Sequence, residues 1–171
     1  MDEMYPSFNL LFTETRDRLI RQISNVESLD SKAGIIAGFD GLIITTMIGL
    51  VSGLGSIGGT ILLDPVSKAV AVILLLASIV TAASFVFAMR AYRVETFREI
   101  LEPRAAYEKW LDKPADQSKL QLLHNLIVSY EQNSDIISRK ASDIKVALYL
   151  LLASLIVSLV AGLVYVVHLF P

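Results

Sequence analysis

The stretch DSKAGIIAGFDGLIITTMIGLVSGL, residues 30–54, decides the fold. After Asp30 and Lys32 it runs to its end with Asp40 as its sole formal charge. At about 1.5 Å per residue, a helix of this length crosses ~30 Å of hydrocarbon. Gly34, Gly38 and Gly41 fall roughly a turn apart, which strips side chains from one stripe and lets a second helix backbone come close. A carboxyl group in such a run is costly and requires a partner or a watery path. The stretch reads as the first membrane span of an all-α membrane protein.

Two further spans follow. Residues 69–89 carry no charge and end at Arg90 and Arg93. Within them Ala77, Thr81, Ser84 and Ala88 form one small and hydroxyl-bearing stripe, the mark of a helix–helix face in lipid. Residues 146–169 form the third, entered through Arg139, Lys140 and Lys145, with Tyr149 and Tyr165 near its ends as interface aromatics. Ser154, Ser158 and Gly162, spaced by four, make a second packing stripe beside that of Gly34, Gly38 and Gly41.

Between and before the spans the pattern turns amphipathic. Phe8, Phe12, Leu19, Ile23 and Val26 recur at helical steps, with Arg16, Asp17, Arg18 and Arg21 opposite them. With no glycine or proline up to Ala33, this helix is expected to continue into the bilayer. Residues 52–59 (SGLGSIGG) read as a flexible connection. Asp64 and Pro65 suit the cap and first position of the next helix. Val94, Phe97, Ile100 and Leu101 are expected to continue the second span outward as far as Pro103. Residues 112–118 (DKPADQS) read as a turn. Beyond it Leu120, Leu123, Ile127, Tyr130 and Ile137 keep a 3-4 spacing. The expected organisation is an N-terminal cytosolic amphipathic helix (1–32), a first transmembrane helix (33–54) and an extracytoplasmic loop (55–65). A second transmembrane helix (66–90), a cytosolic helical hairpin (91–145) and a third transmembrane helix (146–171) complete it. The hairpin and the N-terminal helix form a cytosolic helical bundle.

Composition supports this reading. Of 171 residues 54% are hydrophobic, above the ~45–50% of soluble chains, and the mean hydropathy is +0.58. The N-terminus lacks the basic-then-apolar order of a signal peptide, so the first span serves as its own targeting signal. Of 15 lysines and arginines, only Lys68 belongs to the first interhelical connection, and none follows the third span. The positive-inside rule then places the N-terminus and the 92–145 insert in the cytoplasm and the C-terminus outside. A net charge of −2 leaves no basic excess for a nucleic acid polymer. The absence of cysteine and the presence of two histidines leave little for metal or triad chemistry. With no nucleophile–base pair and no phosphate-cradling glycine loop, the chain reads as a non-enzyme with no cofactor.

A cytosolic helix running into Asp30, Lys32, Ala33 and Gly34, then Asp40-Gly41 in an apolar run, resembles the small transmembrane effectors of bacterial Pycsar-type antiphage defence systems. The second span, the helical insert and the basic Arg139-Lys140 approach to the last span share that layout. The family usually carries Asn where this chain has Asp40. The resemblance implies a non-catalytic effector in the cell inner membrane. It would sense a cyclic pyrimidine nucleotide (cyclic CMP or cyclic UMP) and impair membrane integrity. The expected partners are therefore membrane lipids, further copies of the chain in a homo-oligomer, and that nucleotide.

Several residues are singled out. Asp40 either lines a pore, binds a cation or pairs with an arginine such as Arg90, or else it is a neutral or hydrogen-bonded acid facing Ser and Thr on other helices. Asp30 and Lys32 flank the interface and form, with Asp40, a candidate pore or gating set, or simply snorkel. Arg90, Arg93, Arg139 and Lys140 are the candidate ligand-binding set, since arginine forks match phosphate oxygens. Arg98 and Arg104 join them, with Tyr107 and Trp110 as candidates for base stacking; positive-inside topology alone also accounts for the cations. The alternatives to an effector are an oligomeric cation channel or transporter subunit, and a non-catalytic scaffold recruiting a soluble partner.

Overall fold

A computed structural model describes residues 7–56, 65–95 and 113–169. Among these the chain is all-helical: α1 (Phe8–Ser56), α2 (Pro65–Tyr92) and α3 (Ala115–Leu169). Each contains a window long and apolar enough to cross a membrane. The three-span all-α fold expected from the sequence is therefore present. At 49 and 55 residues, α1 and α3 exceed twice the ~20 residues that a span requires. One helix thus serves both a membrane-crossing part and an extension beyond it.

The helix ends differ in places from the sequence expectation. α1 runs to Ser56, through the first half of the stretch read as a loop, and 57–64, with Asp64, lie outside the described residues. In an apolar medium the helix closes its own backbone hydrogen bonds, and that outweighs the weak helix propensity of glycine. α2 begins at Pro65, where the missing N–H costs nothing. It ends at Tyr92 rather than continuing through Val94, which is 92% exposed. Phe97, Ile100, Leu101, Pro103 and the rest of 96–112 lie outside the described residues. α3 starts at Ala115 inside the expected turn, with the Ser118 N–H donating to the Pro114 carbonyl at 3.1 Å. At the head of α1 the Leu11 N–H donates to the Ser7 carbonyl at 3.0 Å.

Each helix buries one seam that repeats by seven, the period at which packed helices keep one face in contact. In α2 it is Ser67, Val70, Leu74, Ala77, Thr81, Ser84, Ala88 and Ala91. In α1 it takes Leu19, Gln22, Val26, Ala33, Ile36, Asp40 and Met47. Gln22, not the exposed Ile23, therefore holds the inner position.

The chain divides into two units, Met1–Ser28 with Val94–Arg139 and Leu29–Arg93 with Lys140–Pro171. In the first, Leu19 and Val26 of α1 and Leu126 of α3 are buried, and the Gln22 Nε2 donates to the Tyr130 carbonyl at 3.1 Å. Phe8 stacks on Phe12, and Lys119 Nζ lies over the Phe8 ring. In the second, Ala33 and Ile36 of α1, Ala88 and Ala91 of α2, and Ile144, Ala147 and Leu151 of α3 form one core. Ala33, Ala88 and Ala147 are wholly buried, and their small side chains let three backbones approach. Val70, Leu74 and Ala161, with Tyr165 against them, close the far end.

This second unit is apolar outside and keeps hydroxyl and carboxyl groups inside, beside the apolar core. Leu42, Leu75, Ile156 and Leu159 face outward, while Asp40, Thr81, Ser84 and Ser154 are buried. A soluble protein would expose the second set and hide the first; a bundle solvated by lipid does the reverse.

Candidate functional site: a buried polar node among three helices

The seams of α1, α2 and α3 bring Asp40, Ser84 and Ala147 together. Ser84 Oγ lies 2.9 Å from Asp40 Oδ2 and 2.9 Å from the Ala147 carbonyl oxygen. One hydroxyl on α2 thus ties α1 to α3. Asp40 and Ser84 are each fully buried, and Asp40 Oδ1 has no hydrogen-bond partner. An unpaired ion in such surroundings costs several kcal/mol or more, an unpaired neutral acceptor about 1–3 kcal/mol. Two other buried hydroxyls stay within their own helices: Thr81 donates to the Ala77 carbonyl at 3.0 Å, and Ser154 to the Leu151 carbonyl at 2.9 Å.

Asp40 meets Ser84 rather than Arg90. Arg90 lies over the Phe87 ring and reaches Asp143 at 3.6 Å, its side chain 64% exposed. Arg93, just past the end of α2, is exposed. Arg139 approaches Glu95 at 3.7 Å. Lys140 occupies a seam position, 3% exposed, and donates to Asp30 Oδ1 at 2.6 Å. Lys32 is exposed on α1. The reading of Asp40 as a hydrogen-bonded acid facing Ser and Thr on other helices finds its partner in Ser84, whereas Lys140 as the partner of Asp30 was not read from the sequence. A signal existed for the first, because Ser84 sits in the small-residue stripe of α2.

The packing stripes behave unevenly. Ser154 is buried and Ser158 half-buried, the latter donating to the Ser154 carbonyl at 2.7 Å. A Cβ on Gly34 would meet Tyr92 Cε2 at 3.9 Å, whereas nothing lies within 4 Å of one on Gly38, Gly41 or Gly162. Between α1 and α2 an apolar cavity of about 440 Å³ is lined by residues including Met47, Ala71, Val72 and Leu75. Among the described residues no three His, Cys, Asp or Glu side chains are grouped to hold a metal ion. In the other unit, the Arg18 side chain hydrogen-bonds Glu14 and holds its carboxyl below the ordinary value. Arg98, Arg104, Tyr107 and Trp110 lie outside the described residues.

In comparison with known protein families, residues 14–168 match PycTM, the Pycsar effector protein domain. Neither the curated proteins nor the solved structures hold a match. The matched span takes in most of α1, all of α2 and nearly all of α3.

Proposed function

This chain belongs to the Pycsar effector family, transmembrane effectors of antiphage defence, and on that premise we propose that it impairs the inner membrane when a cyclic pyrimidine nucleotide is sensed. The observation that carries the reading is the continuity of α1 and α3, each of which contributes to both units. A ligand that shifts either helix in one unit therefore acts on a helix of the other without any intermediary. The protein is not an enzyme; its work is a change of helix packing.

Positive-inside asymmetry supports a cytoplasmic N-terminus and insert, with the C-terminus outside. The exposed Arg90 and Arg93 are offered to the nucleotide phosphate, and Arg139 is the candidate cation of the other unit. Lys140 enters as a tether to Asp30. The open space at Gly38, Gly41 and Gly162 suits close approach of further copies, so the active form is a homo-oligomer. Asp30, Lys32 and Asp40 line the route along which the closed state is lost. The organisation that goes with this reading has cytosolic 1–32 and 91–145 beside spans over 33–54, 66–90 and 146–171.

Expression with a supply of cyclic CMP or cyclic UMP tests this. Growth arrest with collapse of membrane potential, dependent on the nucleotide, is the expected result. Normal growth and an intact potential under both nucleotides would contradict it.

A further inference from the structure

The polar node poses a hydrogen-counting question. Ser84 has one hydroxyl hydrogen, yet its oxygen is 2.9 Å from two oxygens. The Ala147 carbonyl can only accept. If Asp40 were a carboxylate it too could only accept, and one hydrogen would have to serve both. A bare charge would then be left in a fully buried position, half-bonded at Oδ2 and unbonded at Oδ1. That is the most expensive state a buried polar group can have.

A proton on Asp40 Oδ2 resolves the count. The carboxyl donates to Ser84, and Ser84 donates to Ala147, giving two full hydrogen bonds. The remaining orphan is a neutral carbonyl oxygen, a far smaller penalty than a lone ion. We propose that the node is a proton-binding site: in the resting bundle Asp40 is a hydrogen-bond donor in a relay running Asp40 to Ser84 to the Ala147 carbonyl across all three helices.

The charged groups nearest the node do not supply an alternative counter-charge. On α1 Lys32 is eight residues away and exposed, about 12 Å along the helix. On α2 Arg90, six residues on, is engaged with Asp143 and the Phe87 ring. On α3 Lys140 is paired with Asp30, and Lys145 is exposed with its Nζ over the Tyr149 ring. Asp143, one turn before Ala147, carries the wrong sign and faces Arg90.

The site therefore presents no charged oxygen to a passing cation while the helices are together. It presents one only if they part, when the carboxyl passes its proton to incoming water. The resting state does not depend on the effector reading, so the test can be made on the protein alone.

Infrared spectroscopy of the full chain in bilayers at neutral pH, with isotope-labelled aspartate, reads the carboxyl directly. The expected result is a protonated-acid carbonyl band that shifts with the label and vanishes in Asp40→Asn. In Ser84→Ala the band persists but moves to higher frequency, because the acid has lost its acceptor. That variant also assigns the band if Asp40→Asn does not fold. Labelled bands confined to the carboxylate region would overturn the proposal. An acid band unmoved by Ser84→Ala would overturn the relay.

Discussion

Lys140 and Asp30, 110 residues apart in the chain, meet at 2.6 Å, the lysine side chain 3% exposed and the aspartate 35%. The bond joins α3 to α1 at the edge of the unit that holds the spans. A buried cation on a core seam is tolerable only with such a partner.

Removing Asp30 alone should therefore do more harm than removing both. Asp30→Ala leaves Lys140 uncompensated and should cost about 2 kcal/mol, less than a fully enclosed pair because the aspartate is part exposed. Pairing Asp30→Ala with Lys140→Met should recover most of that loss. Thermal unfolding in detergent would check both, and equal losses in the single and double variants would reject the pairing.

Ser84→Ala should destabilise the bundle by about 1–2 kcal/mol, since one hydroxyl carries both inter-helix contacts. Thr81→Val and Ser154→Ala should cost clearly less, because their hydroxyls serve carbonyls of their own helices. Chemical unfolding of the three variants side by side gives the ranking.

Gly38 and Gly162 separate folding from assembly. Gly38→Ala and Gly162→Ala add a methyl into open space and should leave the single-chain fold no less stable than the parent, alanine being the better helix former by up to about 1 kcal/mol. Ala88→Leu, at a wholly buried position, should cost about 1–3 kcal/mol by overpacking. Cross-linking in lipid then asks whether the glycine variants weaken association without loss of monomer stability, as the homo-oligomer reading expects.

What the sequence made legible follows from where its signals are local. Ala77, Thr81, Ser84 and Ala88 alternate by four, three and four, a helical stripe of small and hydroxyl residues, so the buried face of α2 could be read directly. Glycine gave a weaker guide on α1. Gly34, Gly38 and Gly41 announce a bare stripe for close approach, yet the seam of α1 runs beside them through Ala33, Ile36 and Asp40. A missing side chain says that a neighbour could come close, not that one of the chain's own helices does. The bond between Lys140 and Asp30 left no local trace, because a lysine before a span reads as topology. Its one clue is register: Asn133, Lys140, Ile144 and Ala147 share a buried face. The end of α1 was misread for a related reason. Glycine-rich residues 52–56 favour a loop in water, but an apolar medium penalises open backbone.

Arg90→Ala and Arg93→Ala should each raise the nucleotide concentration needed for growth arrest by roughly tenfold, the cost of one charge-assisted phosphate bond. Lys68→Ala, on the other side of the proposed topology, should leave it unchanged. Dose–response curves in cells supply the comparison, and equal shifts in all three would point to a general charge effect.

Ion flux through the purified chain in liposomes, with and without cyclic CMP or cyclic UMP, tests the central claim most directly. The account predicts sealed vesicles in the absence of nucleotide and a leak on its addition. Vesicles that leak equally without any nucleotide would contradict it and point to a constitutive channel. Vesicles that stay sealed under both nucleotides would contradict it as well, and leave a scaffold as the better description.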